Sequence, residues 1–232
     1  MTAQLALLTA SEAPAAPGID LRCCDVAEVL AEVRGAALVH ADPPWTYDNP
    51  AVQGNASDNY ALLTQEGIAS HLSAAYACAA PDAYLLCWVT WPKLAKWLDA
   101  SRGMPWRYVS GGAWIKEHAP PGGPGVGFHW RGVSEAVLLY VKGSPDPAAV
   151  VYNGRSSPRL AHSEKPSAWL SDLVGAFCPP GDLVLDLYAG LAPMARACLA
   201  TGRRYVGAEI DPARHAAAMA RLWRTGGAGE DG

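Results

Sequence analysis

The sequence lacks several features that would assign it to a class at once. Its 18 Lys and Arg residues against 22 Asp and Glu give a net charge of −4, so no global basic field draws it to nucleic acid. Charges or prolines interrupt each apolar run well before the roughly 20 residues that a membrane-spanning helix needs. No Lys or Arg precedes the apolar patch within residues 1–18, so the positive region of a secretory signal is missing. We therefore expect a cytoplasmic protein without a membrane partner.

The cysteines form no pattern typical of a metal or redox site. Neither C-x-x-C spacing nor a neighbouring His cluster is present, and His118 and His129 do not match a metal motif. We expect no metal, and reduced thiols within apolar segments. The six cysteines are Cys23, Cys24, Cys78, Cys87, Cys178 and Cys198.

Short apolar runs alternate with helical patterns at both ends of the chain. The predicted strands are residues 19–24, 36–41, 83–90, 113–116, 136–142, 183–188 and 203–210. The predicted helices cover residues 25–35 and 92–100, one from Gly190 to Thr201, and one that begins at Pro212. Such alternation predicts a mostly parallel sheet with helices on both faces. We expect one domain over residues 19–225, with tails at 1–18 and 226–232.

The strongest chemical signal is Asp42-Pro43-Pro44-Trp45, which directly follows the predicted strand 36–41. Open α/β sheets bind ligands at this end of their strands. The two prolines fix the backbone and remove two N–H donors, which leaves carbonyl oxygens free to accept. Asp42 adds a carboxylate and Trp45 a flat apolar face, and together these groups suit an exocyclic amine. Taken alone, the tetrapeptide could equally be a turn that ends a strand.

Several further blocks occur in a fixed order after this tetrapeptide, and the whole series resembles the DPPW-type adenine methyltransferases that use S-adenosylmethionine. The resemblance extends from Ile19 to Trp223. The blocks are Tyr60-x-x-x-Thr64-x-x-x-Ile68, residues 86–90 (LCWVT), 114–116 (WIK), 131–135 (RGVSE), 162–166 (HSEKP), 181–190 (GDLVLDLYAG) and 202–211 (GRRYVGAEID). The resemblance implies a Rossmann-like methyltransferase fold with a mostly parallel seven-stranded sheet. The motif order is circularly permuted, because the catalytic block precedes the cofactor strands.

The resemblance also implies roles for single residues. Asp42, Pro43, Pro44 and Trp45 would be catalytic, with Asp42 also facing the cofactor. Asp25 would face the cofactor's adenine, Glu209 its ribose, and Lys165 its carboxylate, although a lysine before a helix-starting proline could equally be a solvated charge. Asp186, Tyr188 and Gly190 would bind its methionine end, but the run Gly190-Leu191-Ala192-Pro193 lacks the second glycine of related families. The implied residues on the substrate side are Tyr47, Tyr60, Lys116, Arg131 and Glu135.

The function that the resemblance implies is methyl transfer from S-adenosylmethionine to the N6 amine of adenine in DNA. The alternatives are methylation of adenine in RNA, methylation of cytosine N4, and a non-catalytic nucleic-acid-binding partner of an active methyltransferase. No separate target-recognition domain is visible. Sequence specificity must then come from the turn-rich residues 46–60 and 117–132, or from a second subunit in a homodimer or heterodimer.

Overall fold

Eight strands and six helices occur in the computed structural model, which describes residues 18–46, 62–117, 133–147, 149, 154–158 and 165–224. The strands are β1 (Ile19–Cys23), β2 (Ala36–Ala41), β3 (Ala79–Val89), β4 (Arg107–Glu117), β5 (Ser134–Lys142), β6 (Gly154–Pro158), β7 (Leu183–Asp186) and β8 (Arg204–Glu209). The helices are α1 (Val26–Glu32), α2 (Gln65–Cys78), α3 (Trp91–Ser101), α4 (Ser167–Phe177), α5 (Pro193–Thr201) and α6 (Pro212–Arg224).

All these strands belong to one sheet, in the order β1-β8-β7-β2-β3-β5-β4-β6. Neighbouring strands are parallel except around β5, which runs antiparallel to both β3 and β4. β2 and β7 are adjacent, with His40 paired to Asp186. The chain leaves β7 toward β8 on one side and leaves β2 toward β3 on the other. This divergence opens a crevice at the carboxyl ends of β2 and β7, the usual place for a ligand in such a sheet.

Helices cover both faces of the sheet. Leu38 belongs to the apolar cluster that includes α4, α5 and α6, whereas its neighbour Val39 belongs to the cluster that includes α1, α2 and α3. Successive residues of a strand point to opposite faces, so both side chains are fully buried. This double burial explains why β2 is apolar apart from His40 and does not alternate between apolar and polar residues.

The predicted Rossmann-like arrangement is confirmed, but the described sheet has one strand more than the seven predicted. The additional strand is β6, which pairs with β4 at the edge. Its sequence, GRSSP, has no apolar alternation and therefore carries no strand signal. β2 begins and ends where the sequence predicts, whereas β3 and β4 begin upstream of their predicted starts.

Helix α5 begins later than predicted. Gly190 and Ala192 both have a left-handed backbone, with φ of 57° and 55°, which a right-handed helix excludes. The helix therefore starts at Pro193, where the missing N–H and the fixed φ of proline fit the first helical position.

The predicted tails lie outside the described residues, apart from Gly18. Among the helices that the structure describes, none combines the length and the apolar character needed to cross a membrane.

Candidate active site

One cavity of about 400 Å³ lies at the carboxyl ends of β1, β8, β7 and β2. This volume is typical of a small-molecule site. Ten of the residues predicted from sequence to form the site line it: Asp25, Asp42, Pro43, Pro44, Trp45, Glu135, Lys165, Tyr188, Gly190 and Glu209. Residues from distant parts of the chain therefore meet at the crevice that the topology predicts.

Asp42 presents a carboxylate to this cavity. It follows the last residue of β2, and its side chain is 32% exposed. Its Oδ2 lies 2.6 Å from the Nζ of Lys165, which leaves Oδ1 for another partner. Desolvation raises the pKa of Asp42, and the nearby ammonium of Lys165 opposes that rise while Glu135 adds to it.

The two prolines and Trp45 hold the Asp42 backbone in place. The carbonyl of Pro44 accepts the N–H of Leu63 at 2.8 Å, and the N–H of Thr46 donates back to the Leu63 carbonyl at 3.1 Å. Among the described residues, no donor reaches the carbonyl of Pro43. Trp45 is 5% exposed and packs edge-on against Trp97, with ring centroids 5.3 Å apart. Trp45 is thus a buried support with one face on the cavity.

A chain of alternating charges leads away from Asp42. The Nζ of Lys165 also lies 3.1 Å from Oε2 of Glu135, and Oε1 of Glu135 pairs with Lys116. Burial alone would raise the pKa of Glu135, but the two lysines hold it below its usual value. Lys165 is 2% exposed, so its ammonium faces these carboxylates and not solvent. Lys116 does not line the cavity and reaches it only through Glu135.

Glu209 ends β8 with both carboxylate oxygens held by the backbone. Its Oε2 accepts the N–H of Gly190 at 2.8 Å, and its Oε1 accepts the N–H of Asp211 at 2.9 Å. Each oxygen keeps lone-pair capacity for a ligand hydroxyl. The Gly190 N–H donates to Glu209, so it is not free for a cofactor carboxylate in this conformation.

Tyr188, which follows β7, and Asp25, which follows β1, both line the cavity. The hydroxyl of Tyr188 shares a 2.9 Å hydrogen bond with Nδ1 of His71, another cavity residue. Burial lowers the pKa of His71, with Asp25 opposing, and burial raises the pKa of Tyr188. Oδ1 of Asp25 caps α1 by accepting the N–H of Ala27 at 2.8 Å. The second oxygen of Asp25 remains for a ligand.

Asp186 does not line the cavity, and its predicted contact with the cofactor stays a prediction. It is 1% exposed, with Oδ1 2.8 Å from Nδ1 of His40 and Oδ2 accepting the Tyr205 hydroxyl at 3.0 Å. The indole N–H of Trp88 donates to Nε2 of His40 at 3.0 Å. Because Nε2 accepts, the proton of His40 lies on Nδ1 and faces Asp186. The Asp186 carboxylate thus accepts hydrogen bonds within a buried network that joins β8, β7, β2 and β3.

The chain is similar in sequence and in fold to several known proteins. Residues 149–220 match a family model described as DNA methylase. Over 207 residues, 85% of this chain and 87% of the other, the chain is 27% identical to YubD of Escherichia coli K12, provisionally named a methylase. The M1.HpyAVI-SAM complex has a TM-score of 0.66 at 18% identity, covering 88% of this chain and 100% of that one. A shorter stretch of 92 residues, 34% of this chain and 31% of the other, is 32% identical to the DNA adenine methyltransferase YhdJ of the same strain.

Over residues 149–220 the chain is thus similar to the DNA methylase family. The family resemblance inferred from the order of the motifs is thereby confirmed, together with the methyltransferase fold. The family match begins after Asp42-Pro43-Pro44-Trp45 and covers strands β7 and β8. The family match does not include the tetrapeptide itself. Its relation to the site rests on the structure, in which Asp42 faces the same cavity as Glu209.

Other residues that line the cavity have no role predicted from sequence. They include His40, Leu63, His71, Thr90, Ile210 and Arg214. His40 carries a signal that could have found it, since residues two apart on a strand share a face and Asp42 follows at that spacing. His71 lies within α2, where a half-buried histidine on a helix gives no such sign.

Three of the predicted substrate residues, Tyr47, Tyr60 and Arg131, lie outside the described residues. Their roles stay predictions. Lys116 and Glu135 are described, and they pair with each other in front of the cavity.

Proposed function

We propose that this chain transfers a methyl group from S-adenosylmethionine to the exocyclic N6 amine of adenine in DNA. The observation that carries the proposal is that Asp42-Pro43-Pro44-Trp45 and Glu209 line one cavity from opposite sides of the β2–β7 crevice. This arrangement would bring a group that binds the amine and a group that binds the ribose within reach of one another. The matched DNA methylase family supports the reaction class.

The donor set of the cavity fits S-adenosylmethionine, which when bound supplies a methyl group activated by a positively charged sulfur. Glu209 would accept the two ribose hydroxyls, because its oxygens are already oriented by the N–H groups of Gly190 and Asp211. Asp25 would accept from the adenine amine with the oxygen that does not cap α1. Tyr188 and Ile210 supply wall surface. The carboxylates around the cavity also favour a cationic ligand.

The tetrapeptide would act on the target amine. The lone pair of an aromatic amine is delocalised into its ring, so the nitrogen is a poor nucleophile. Hydrogen bonds from its two N–H groups to Oδ1 of Asp42 and to the carbonyl of Pro43 would draw it toward tetrahedral geometry. The same two acceptors would stabilise the positive charge that develops on the nitrogen. Fixed orientation of the two reactants supplies much of the remaining acceleration.

The choice of adenine in DNA rests on the segment that is 32% identical to a DNA adenine methyltransferase. An adenine in a duplex must leave the base stack to reach this cavity, at a cost of about a few kcal/mol. We propose that Glu135 and Lys116, together with Tyr47, Tyr60 and Arg131, contact the nucleotide on the target side. A cytoplasmic location is part of the proposal and is supported by six free cysteine thiols.

Nucleoside analysis tests the proposal. The purified chain is incubated with S-adenosylmethionine and, in parallel, double-stranded DNA, single-stranded DNA or RNA, and each product is digested and analysed by mass spectrometry. We expect N6-methyldeoxyadenosine from DNA. Methylcytosine as the product, methylation confined to RNA, or no methylated nucleoside at all would each contradict it.

A further inference from the structure

The ammonium of Lys165 is shared between two carboxylates on the target side of the cavity. Its Nζ lies 2.6 Å from Oδ2 of Asp42 and 3.1 Å from Oε2 of Glu135. Charge-assisted hydrogen bonds of this kind are short and directional. The pair with Asp42 therefore fixes the rotation of that carboxylate and leaves Oδ1 directed away from the lysine.

A third group closes the environment of this ammonium. The Nζ of Lys165 lies 4.9 Å from the ring centroid of Trp88, within the range of a cation–π interaction. Trp88 is itself 1% exposed and cannot move freely, because its indole N–H donates to His40. His40 is in turn held by Asp186. A buried network of Trp88, His40 and Asp186 thus helps to fix Lys165 beside Asp42.

The family resemblance implies that Lys165 neutralises a cofactor carboxylate. Lys165 lines the cavity but is only 2% exposed, and its ammonium is already shared between Asp42 and Glu135. A buried charge that loses its partners is costly, so moving this ammonium to a new ligand would leave Asp42 and Glu135 uncompensated.

We infer that Lys165 is a positioning residue for Asp42, which keeps that carboxylate ionised and turns Oδ1 toward the target amine. The inference rests on the proposed function for the identity of the amine, but the geometry of the Lys165–Asp42 pair stands without it.

The charged and titratable groups that face Asp42 come from four places in the fold. They are His40 of β2, Cys87 of β3, Glu135 of β5, and Lys165 ahead of α4. Lys165 is the cation that contacts the Asp42 carboxylate, and Glu135 is a second negative charge. Replacing Lys165 by an uncharged side chain should therefore favour the protonated, inactive form of Asp42. Replacing Glu135 by glutamine should do the opposite.

The pKa of the Asp42 carboxyl is measured directly, by NMR of isotope-labelled aspartate carboxyl carbons. The Asp42 signal is the one that is absent from the spectrum of Asp42→Asn. In Lys165→Met we expect the Asp42 pKa to rise by about one unit or more, and in Glu135→Gln we expect it to fall. Lys165→Arg keeps the charge and should stay near wild type in this titration. Lys142→Met is the matched control, because Lys142 also lies over an aromatic ring, Tyr76, and bonds two carbonyls outside the cavity.

Two further readouts separate positioning from cofactor binding. In Lys165→Met we expect kcat to fall about 100-fold and the acid limb of the kcat–pH profile to move to higher pH. The dissociation constant for S-adenosylmethionine, measured by calorimetry, should change less than about threefold. An unmoved Asp42 titration, or a cofactor affinity that collapses in Lys165→Met, overturns the inference. Inactivity of the wild-type protein on every nucleic acid contradicts the proposed function alone, since the titration needs no turnover.

Discussion

At the scale of single residues, the cavity contains carboxylates whose environments assign them different tasks. Asp42 contacts an ammonium and keeps one oxygen for the cavity. Glu209 is held at both oxygens by backbone N–H groups, which makes it a rigid acceptor. Asp25 uses one oxygen in a helix cap. Three acidic side chains therefore differ in orientation and partner, which is what separate contacts to an amine, a ribose and a purine require.

We predict that Glu209→Gln weakens binding of S-adenosylmethionine about 10- to 100-fold, because a hydrogen bond to a charged group contributes about 1.5–3 kcal/mol. The new amide NH2 would also face a backbone N–H that now donates to the carboxylate. Calorimetric titration of the purified variant measures the loss. Glu32→Gln is the control, since Glu32 is 68% exposed and pairs only with Arg22 among the described residues. Equal affinities for wild type and Glu209→Gln would remove the ribose assignment.

At the scale of elements, β8 shows how close packing supports the site. A Cβ on Gly207 would lie 2.1 Å from the hydroxyl of Tyr205, which donates to Asp186. Tyr205 is fully buried and cannot swing aside. Tyr205 crosses residue 207 and leaves no room there for a side chain. The hydrogen bond from Tyr205 to Asp186 therefore also depends on glycine at this position.

We expect Gly207→Ala to lower the free energy of unfolding by about 1–3 kcal/mol, the usual cost of overpacking a core. Gly175→Ala is the matched comparison: that glycine lies inside α4, and a Cβ added there would meet nothing within 4 Å, so alanine should stabilise the helix by about 0.5–1 kcal/mol. Urea denaturation followed by circular dichroism measures both. A neutral Gly207→Ala would show that Tyr205 moves more easily than its burial implies.

The elements nearest the catalytic tetrapeptide were the most predictable from sequence. The bounds of β2 follow from a mostly apolar run, interrupted only by His40, that ends at a charged residue and two prolines, and each of these signals is local. Local sequence signals do not predict that Asp42, Lys165 and Glu135 lie together. Their proximity depends on β5 pairing antiparallel with β3 and on how far Lys165 is buried, which are tertiary properties. The motifs pointed to all three residues, but they gave no sign that Lys165 lies between the two carboxylates.

At the scale of the whole molecule, the two-sided burial of the sheet should protect most of the thiols. Cys78, Cys87 and Cys198 are fully buried and Cys23 is exposed. Burial raises the pKa of Cys178 to about 12, with Asp182 adding to the rise, so little thiolate forms near neutral pH. The described fold therefore predicts one or two accessible thiols.

A thiol reagent such as Ellman's reagent checks this expectation. In native protein at about pH 8, near the pKa of a free thiol, we expect Cys23 to react rapidly and the buried thiols to react only as urea unfolds the chain. Cys23→Ser should remove most of the rapid phase. Rapid reaction of four or more thiols in the native state would contradict the two-sided packing of the sheet.

The central claim is that Asp42 acts on the target amine and not on the cofactor, and Asp42→Ala tests it most directly. Methyl transfer to DNA and calorimetric binding of S-adenosylmethionine are measured on the same preparation of wild type and variant. We predict that kcat falls at least about 100-fold, the cost of losing one preorganised polar contact in a transition state, while the dissociation constant for the cofactor changes little. Methylation at the wild-type rate by Asp42→Ala would contradict the account.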